Sequence, residues 1–86
     1  MNRLLMQAII DLAAFLELSG EDVLSQDAAV SQLEGLSFTL RNLKPEERKM
    51  FATYIEEVFN IEQQAGSNNE RSRFLASLSE SLGLTD

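Results

Sequence analysis

The residues of this chain whose types could support chemistry are its carboxylates and its serines. Adjacent acids occur at Glu21/Asp22, Glu46/Glu47 and Glu56/Glu57. Acid–base catalysis needs two carboxylates that converge on one substrate, whereas neighbouring residues on a helix point in different directions. The chain has no His and no Cys, so a serine lacks its usual activating base and an imidazole or thiolate metal site cannot form. We therefore expect a protein that is not an enzyme and binds no cofactor or metal.

Charge is unevenly distributed along the chain. The net charge is −7, and no Lys or Arg occurs between Leu4 and Leu40. That stretch contains the carboxylates of Asp11, Glu17, Glu21, Asp22, Asp27 and Glu34. A field of one sign steers partners of the opposite sign, whereas binding a phosphate backbone requires a basic stripe. The sequence thus predicts a basic protein partner and no nucleic acid, with an acidic surface that serves only solubility as the alternative.

The elements that must position these acids are helices, because apolar residues recur at helical spacing and no strand-like alternation occurs. We predict a single all-α domain over residues 1–86, a compact bundle of four helices at about 2–19, 26–42, 45–64 and 69–82. Ser25 or Asp27 is expected to cap the second helix, and Asn68 or Asn69 the fourth. Pro45 suits the first position of the third helix. Left-handed C-caps are expected at Gly20 and Gly83.

The apolar spacing also predicts which residues form the core. Those with the clearest helical spacing are Leu5, Ile9, Leu12 and Leu16; Val30, Leu33, Leu36 or Ser37, Leu40 and Leu43; Phe51, Ile55, Val58 and Phe59; and Phe74, Leu75, Leu78 and Leu82. The first helix is apolar around most of its circumference, so it is expected either at the centre of the bundle or in an oligomer interface. Gly35, in the middle of the second helix, suggests close approach of another backbone.

Because the first helix uses most of its surface for packing, the negative field is expected to concentrate between Glu17 and Asp27. Phe15, or Tyr54 together with Met50, could anchor a partner by apolar contact. The predicted partner-binding residues are Glu17, Glu21, Asp22, Asp27, Glu34 and Tyr54.

Asp27-Ala-Ala-Val-Ser-Gln-Leu-Glu34, continued by Leu40, Leu43 and Lys44-Pro-Glu-Glu-Arg48, resembles a pattern found in short bacterial immunity proteins encoded beside toxin genes. The similarity covers roughly residues 11–60. In size and acidity the chain is also similar to colicin-type nuclease immunity proteins, but it lacks their recognition motif of paired Tyr and Pro, so none of their binding residues can be assigned here. The resemblance implies an inhibitor that covers a basic site on a partner toxin.

Two other functions remain open from the sequence. The apolar first helix could pair with a second copy, which predicts a self-associating structural or adaptor protein, and a homodimeric inhibitor would satisfy both hypotheses. Alternatively, Gly35-Leu36-Ser37-Phe38 lies where the small acidic acyl carrier proteins carry their modified serine, although their Asp-Ser-Leu motif is missing. No apolar stretch is as long as a transmembrane helix, and we expect a cytoplasmic protein that does not bind membranes.

Overall fold

A computed structural model describes residues 1–66 and 69–85 of the chain. It contains four helices: α1 (Arg3–Leu18), α2 (Gln26–Leu40), α3 (Pro45–Gln64) and α4 (Glu70–Ser81). The prediction of an all-α bundle of four helices is confirmed, and each helix end lies within two residues of its predicted position. In the part of the chain that the structure describes, no helix combines the length and the apolar character needed to cross a lipid bilayer.

Short polar side chains begin three of the helices. The Asn2 Oδ1 atom accepts hydrogen bonds from the amides of Leu4 and Leu5 at the start of α1, and Ser25 Oγ accepts one at the start of α2. Asn69 caps α4, while the other predicted candidate, Asn68, lies outside the described residues. Pro45 is at the first position of α3, where Lys44 makes no side-chain cap. Local sequence signals therefore set most of these helix starts.

Of the two left-handed glycine caps predicted from the sequence, the structure contains one. Gly83 has φ +71°, its amide donates to the Glu80 carbonyl, and the Leu84 amide donates to the Ser79 carbonyl at 2.9 Å. This is the predicted Schellman arrangement, and it brings Leu84 into the core. The prediction for Gly20 is wrong, because the positive-φ glycines among the described residues are Gly66 and Gly83. Helix α1 instead ends at Leu18, and the backbone of the following residue, Ser19, is extended.

Helix α1 lies at the centre of the packing and contacts the other three helices. Helices α3 and α4 form the most extensive pair, and α2 packs mainly on α1. The largest side chains with almost no exposed surface are Ile10, Phe51, Ile55, Leu75 and Leu82. Complete burial of such a side chain contributes about 1.5–3 kcal/mol, so the core between α1, α3 and α4 dominates the stability of this small domain.

The predicted core faces of α3 and α4 are confirmed, but those of α1 and α2 are partly wrong. Leu5 and Leu12 are 61% and 52% exposed, and Met6, Ile10 and Ala13 are buried instead. Because α1 is apolar on nearly all sides, its periodicity did not specify which face the other helices would cover. In α2, Val30 is 46% exposed and the neighbouring Ala29 is buried.

Gly35 does not mark a close contact within the chain. A Cβ atom placed on Gly35 would meet no heavy atom within 4 Å. The explanation predicted for this glycine is therefore wrong, and the outer side of α2 is open at this point.

Candidate protein-binding surface

The outward side of α2 combines apolar and acidic side chains. Val30, Glu34 and Phe38 are four residues apart and therefore lie along one side of the helix. Phe38 is 70% exposed and Val30 is 46% exposed. The three residues line a groove of about 670 Å³ together with Arg41 at the end of α2 and Ser81 of α4. An acidic side chain thus lies between two exposed apolar ones.

Further carboxylates lie where the chain enters α2. Glu21 and Asp22 are exposed in a turn in which the amides of Val23 and Leu24 both donate to the Gly20 carbonyl at 3.0 Å. The Asp22 carboxylate folds over Gly20, since a Cβ atom there would be 2.6 Å from its Oδ1. Asp27 follows in the first turn of α2, where its charge favours the positive end of the helix dipole.

Glu17 approaches the same region from α1. Its side chain lines a small cleft with Leu33 of α2 and with Phe74 and Ser81 of α4. Leu33 and Ser81 also line the groove that contains Glu34. The structure therefore places Glu17 and Glu34 on adjoining clefts. We call Glu17, Glu21, Asp22, Asp27 and Glu34 the acidic surface.

The carboxylates of the acidic surface have no ion-pair partner within residues 1–66 and 69–85. The ion pairs in this part of the chain join Arg3 to Glu57 at 3.1 Å, and Arg71 to Glu62 at 3.0 Å and to Asp11 at 3.8 Å. They neutralise acids where α1, α3 and α4 meet. The charge of the acidic surface is therefore not neutralised by ion pairs within these residues.

Tyr54 is not part of the acidic surface. Its hydroxyl donates a hydrogen bond to Gln7 Oε1 at 2.7 Å, and the Arg3 guanidinium lies 4.8 Å from the centre of its ring. Tyr54 therefore connects α3 to α1, and its polar group already has a partner. Met50, 49% exposed, lines a groove with Tyr54 and Met1. Of the predicted contact residues, Tyr54 is the one that the structure separates from the others.

Carboxylates and Ser37 are the groups on which catalytic or carrier chemistry would depend. No group of three or more acids is placed to hold a metal ion in the part of the chain that the structure describes. The adjacent acids Glu56 and Glu57 of α3 have different surroundings, because Glu57 forms an ion pair with Arg3 and Glu56 is exposed without one in the same part of the chain. Ser37, on which the carrier-protein hypothesis rests, lies inside α2 and is only 9% exposed.

Sequence reasoning missed Val30 and Phe38 as surface residues. The signal was present in their spacing, because the buried Ala29 and Leu40 and the partly buried Leu33 and Leu36 form one line at intervals of four, three and four. Val30 and Phe38 lie beside that line and share the side of α2 that carries Glu34.

Comparison with known proteins adds no functional assignment. No protein family, curated protein or solved structure matches this chain. A helical bundle supports many unrelated functions, so the fold alone does not indicate one.

Proposed function

We propose that this protein is a non-catalytic protein-binding module that covers a basic site on a partner protein, as an immunity or antitoxin-type inhibitor does. The proposal is supported by chemistry that the chain lacks and by the surface that it has. With no His and no Cys, the usual general base and the most reactive nucleophile are missing. The resemblance of roughly residues 11–60 to immunity proteins favours the same function.

Phe38 is the observation that carries the proposal. Phe38 is 70% exposed, so most of its ring makes no apolar contact within the fold. Burial of the ring by a partner would therefore be favourable. Protein interfaces are enriched in aromatic anchors surrounded by a polar rim. Phe38, with Val30 and the carboxylate of Glu34 on the same groove, has this arrangement.

The acidic surface supplies selectivity for a basic partner. Its five carboxylates are exposed and have no ion-pair partner among the described residues. Complementary charge raises association rates towards about 10⁸–10⁹ M⁻¹s⁻¹ at low salt, and it excludes acidic competitors. Many proteins that act on nucleic acids or nucleotides have basic clefts, and an acidic helical surface can occlude such a cleft.

A pair of charge-reversal variants tests the proposal. The first variant changes Glu21, Asp22 and Asp27 to Lys. The control changes Glu56, Glu70 and Glu80 to Lys, which alters the net charge by the same amount. It also matches the loss of a first-turn acid, because Glu70 lies in the first turn of α4 as Asp27 does in α2. We expect tagged wild type and the control to retain the same basic protein from the native host, and the first variant to lose it.

Salt and a third variant complete the test. Retention by wild type should fall steeply between about 0.05 and 0.5 M salt, because exposed charges are screened. Phe38→Ala should weaken retention at both salt concentrations while leaving the helical content unchanged, since the side chain contributes little to the core. Equal losses in the two charge-reversal variants, or binding that is indifferent to salt and to Phe38, would contradict the proposal.

A further inference from the structure

A second exposed apolar surface lies on α1. Its members are Leu4, Leu5, Ala8, Leu12 and Phe15, which we call the α1 stripe. Leu4 is 81% exposed, and Leu5, Leu12 and Phe15 are 50–61% exposed, while Ala8 is also exposed. Isolated apolar residues on a surface are ordinary, whereas a contiguous apolar face on a helix indicates an interaction site.

The spacing within the α1 stripe is symmetric. Leu5, Ala8, Leu12 and Phe15 follow one another at intervals of three, four and three residues, which read the same in both directions. When two such helices meet antiparallel about a twofold axis, Leu5 of each copy is level with Phe15 of the other, and Ala8 is level with Leu12. The small side chain of Ala8 then faces the large one of Leu12, which is the alternation that close helix packing requires.

Charge favours the same arrangement. Helix α1 has no acid in its first turn and no basic residue in its last turn, so neither end of its dipole is compensated by its own side chains. An antiparallel second copy places a negative helix end beside each positive one. Asp11 precedes Leu12 of the α1 stripe, and Arg71 lies 3.8 Å from its carboxylate, which reduces repulsion between the two copies.

We infer that the α1 stripe is a homodimer interface, in which α1 packs antiparallel against α1 of a second copy. This inference is independent of the proposed function, because the two surfaces share no residue.

The absence of Cys from the sequence allows the register to be tested directly. We expect a mixture of Ala8→Cys and Leu12→Cys chains to form a disulfide between the two variants under mild oxidation, because these positions face each other across the twofold axis. In the Ala8→Cys variant alone, the two cysteines would be offset by about 6 Å along the helix axis, so the bridge should form poorly. An Ala76→Cys chain mixed with Leu12→Cys serves as the background control.

Each outcome of the crosslinking experiment decides the inference. Selective bridging between positions 8 and 12 supports the antiparallel dimer. Efficient bridging of Ala8→Cys to itself would instead indicate a parallel pair and would overturn it. Bridging no faster than that of the Ala76→Cys control would show that the α1 stripe is not an interface between copies.

Mass measurement in solution gives a second readout. The mass of the wild type should rise from 9.6 kDa towards twice that value with increasing concentration. Leu12→Arg should raise the dimer dissociation constant at least tenfold, since a twofold interface contains the substitution twice. Ile61→Arg is the matched control, because Ile61 is 65% exposed but lies on α3, and it should leave dimerisation unchanged.

Salt separates this inference from the proposed function. Dimerisation joins two chains of charge −7 through an apolar surface, so higher salt should strengthen it by screening their repulsion. Binding of a basic partner should instead weaken. A wild-type protein that remains monomeric at high concentration and high salt would overturn the dimer and leave the proposed function untouched.

Discussion

Gly35→Ala should stabilise the protein. Glycine in a helix interior costs about 0.5–1 kcal/mol relative to alanine, because it loses more backbone entropy on folding. The new methyl group would introduce no clash, since a Cβ atom at Gly35 has no heavy atom within 4 Å. Nothing therefore opposes the entropic gain, and we expect the free energy of unfolding to rise by about 0.5–1 kcal/mol.

The expected change is large enough to measure. For a domain of 60–100 residues, 1 kcal/mol corresponds to a shift of about 4–8 °C in the unfolding temperature. Gly35→Ala should accordingly raise the unfolding temperature by about 2–8 °C. Circular dichroism at increasing temperature measures this shift. In urea the midpoint should increase while the slope stays the same, because the surface exposed on unfolding does not change.

Gly66→Ala is the matched control for this experiment. A Cβ atom at Gly66 also meets nothing within 4 Å, but Gly66 has φ +83°. A left-handed conformation costs an alanine about 1–2 kcal/mol, so this variant should lose stability although the space is equally open. Loss of stability in Gly35→Ala would refute the reasoning, because it would show that the outer side of α2 is covered or strained.

Three further changes test how the helices are held. Asn69→Ala should lower the free energy of unfolding by about 1 kcal/mol, because the Asn69 side chain accepts two amide hydrogen bonds at the start of α4; unfolding in urea measures it. Lys44→Ser should raise that free energy by several tenths of a kcal/mol up to about 1 kcal/mol, since Lys44 makes no cap on α3; thermal unfolding measures it. Tyr54→Phe should cost about 1 kcal/mol through the lost bond to Gln7, yet leave partner capture unchanged in the affinity assay.

The order and the ends of the helices could be predicted from the sequence because local interactions determine them. Ser25 and Asn69 can accept the free amides of a first turn, Pro45 cannot lie inside a helix without disruption, and Gly83 tolerates positive φ. Each signal acts within a few residues, so it can be read without knowledge of the packing. Gly20 shows the limit of such reasoning, since a glycine after a helix permits a left-handed cap but does not require one.

The faces of α1 and α2 could not be predicted in the same way. Leu5 and Ile10 are both apolar, and only the positions of the other helices decide that Ile10 is buried and Leu5 exposed. By contrast, the exposure of the acidic surface could be predicted from the sequence, because burying an unpaired charge is unfavourable. The partners of Tyr54 and of Asp11 depend on contacts between helices, which spacing within one helix does not determine.

The most direct test of the proposed function is amide hydrogen exchange of the protein with and without the basic partner that it captures. We expect additional protection over residues 21–38, where the acidic turn and the outward side of α2 meet the partner, and loss of this protection in the variant with Lys at positions 21, 22 and 27. Protection confined to α3, or unchanged exchange over residues 21–38 in a saturated complex, would contradict it.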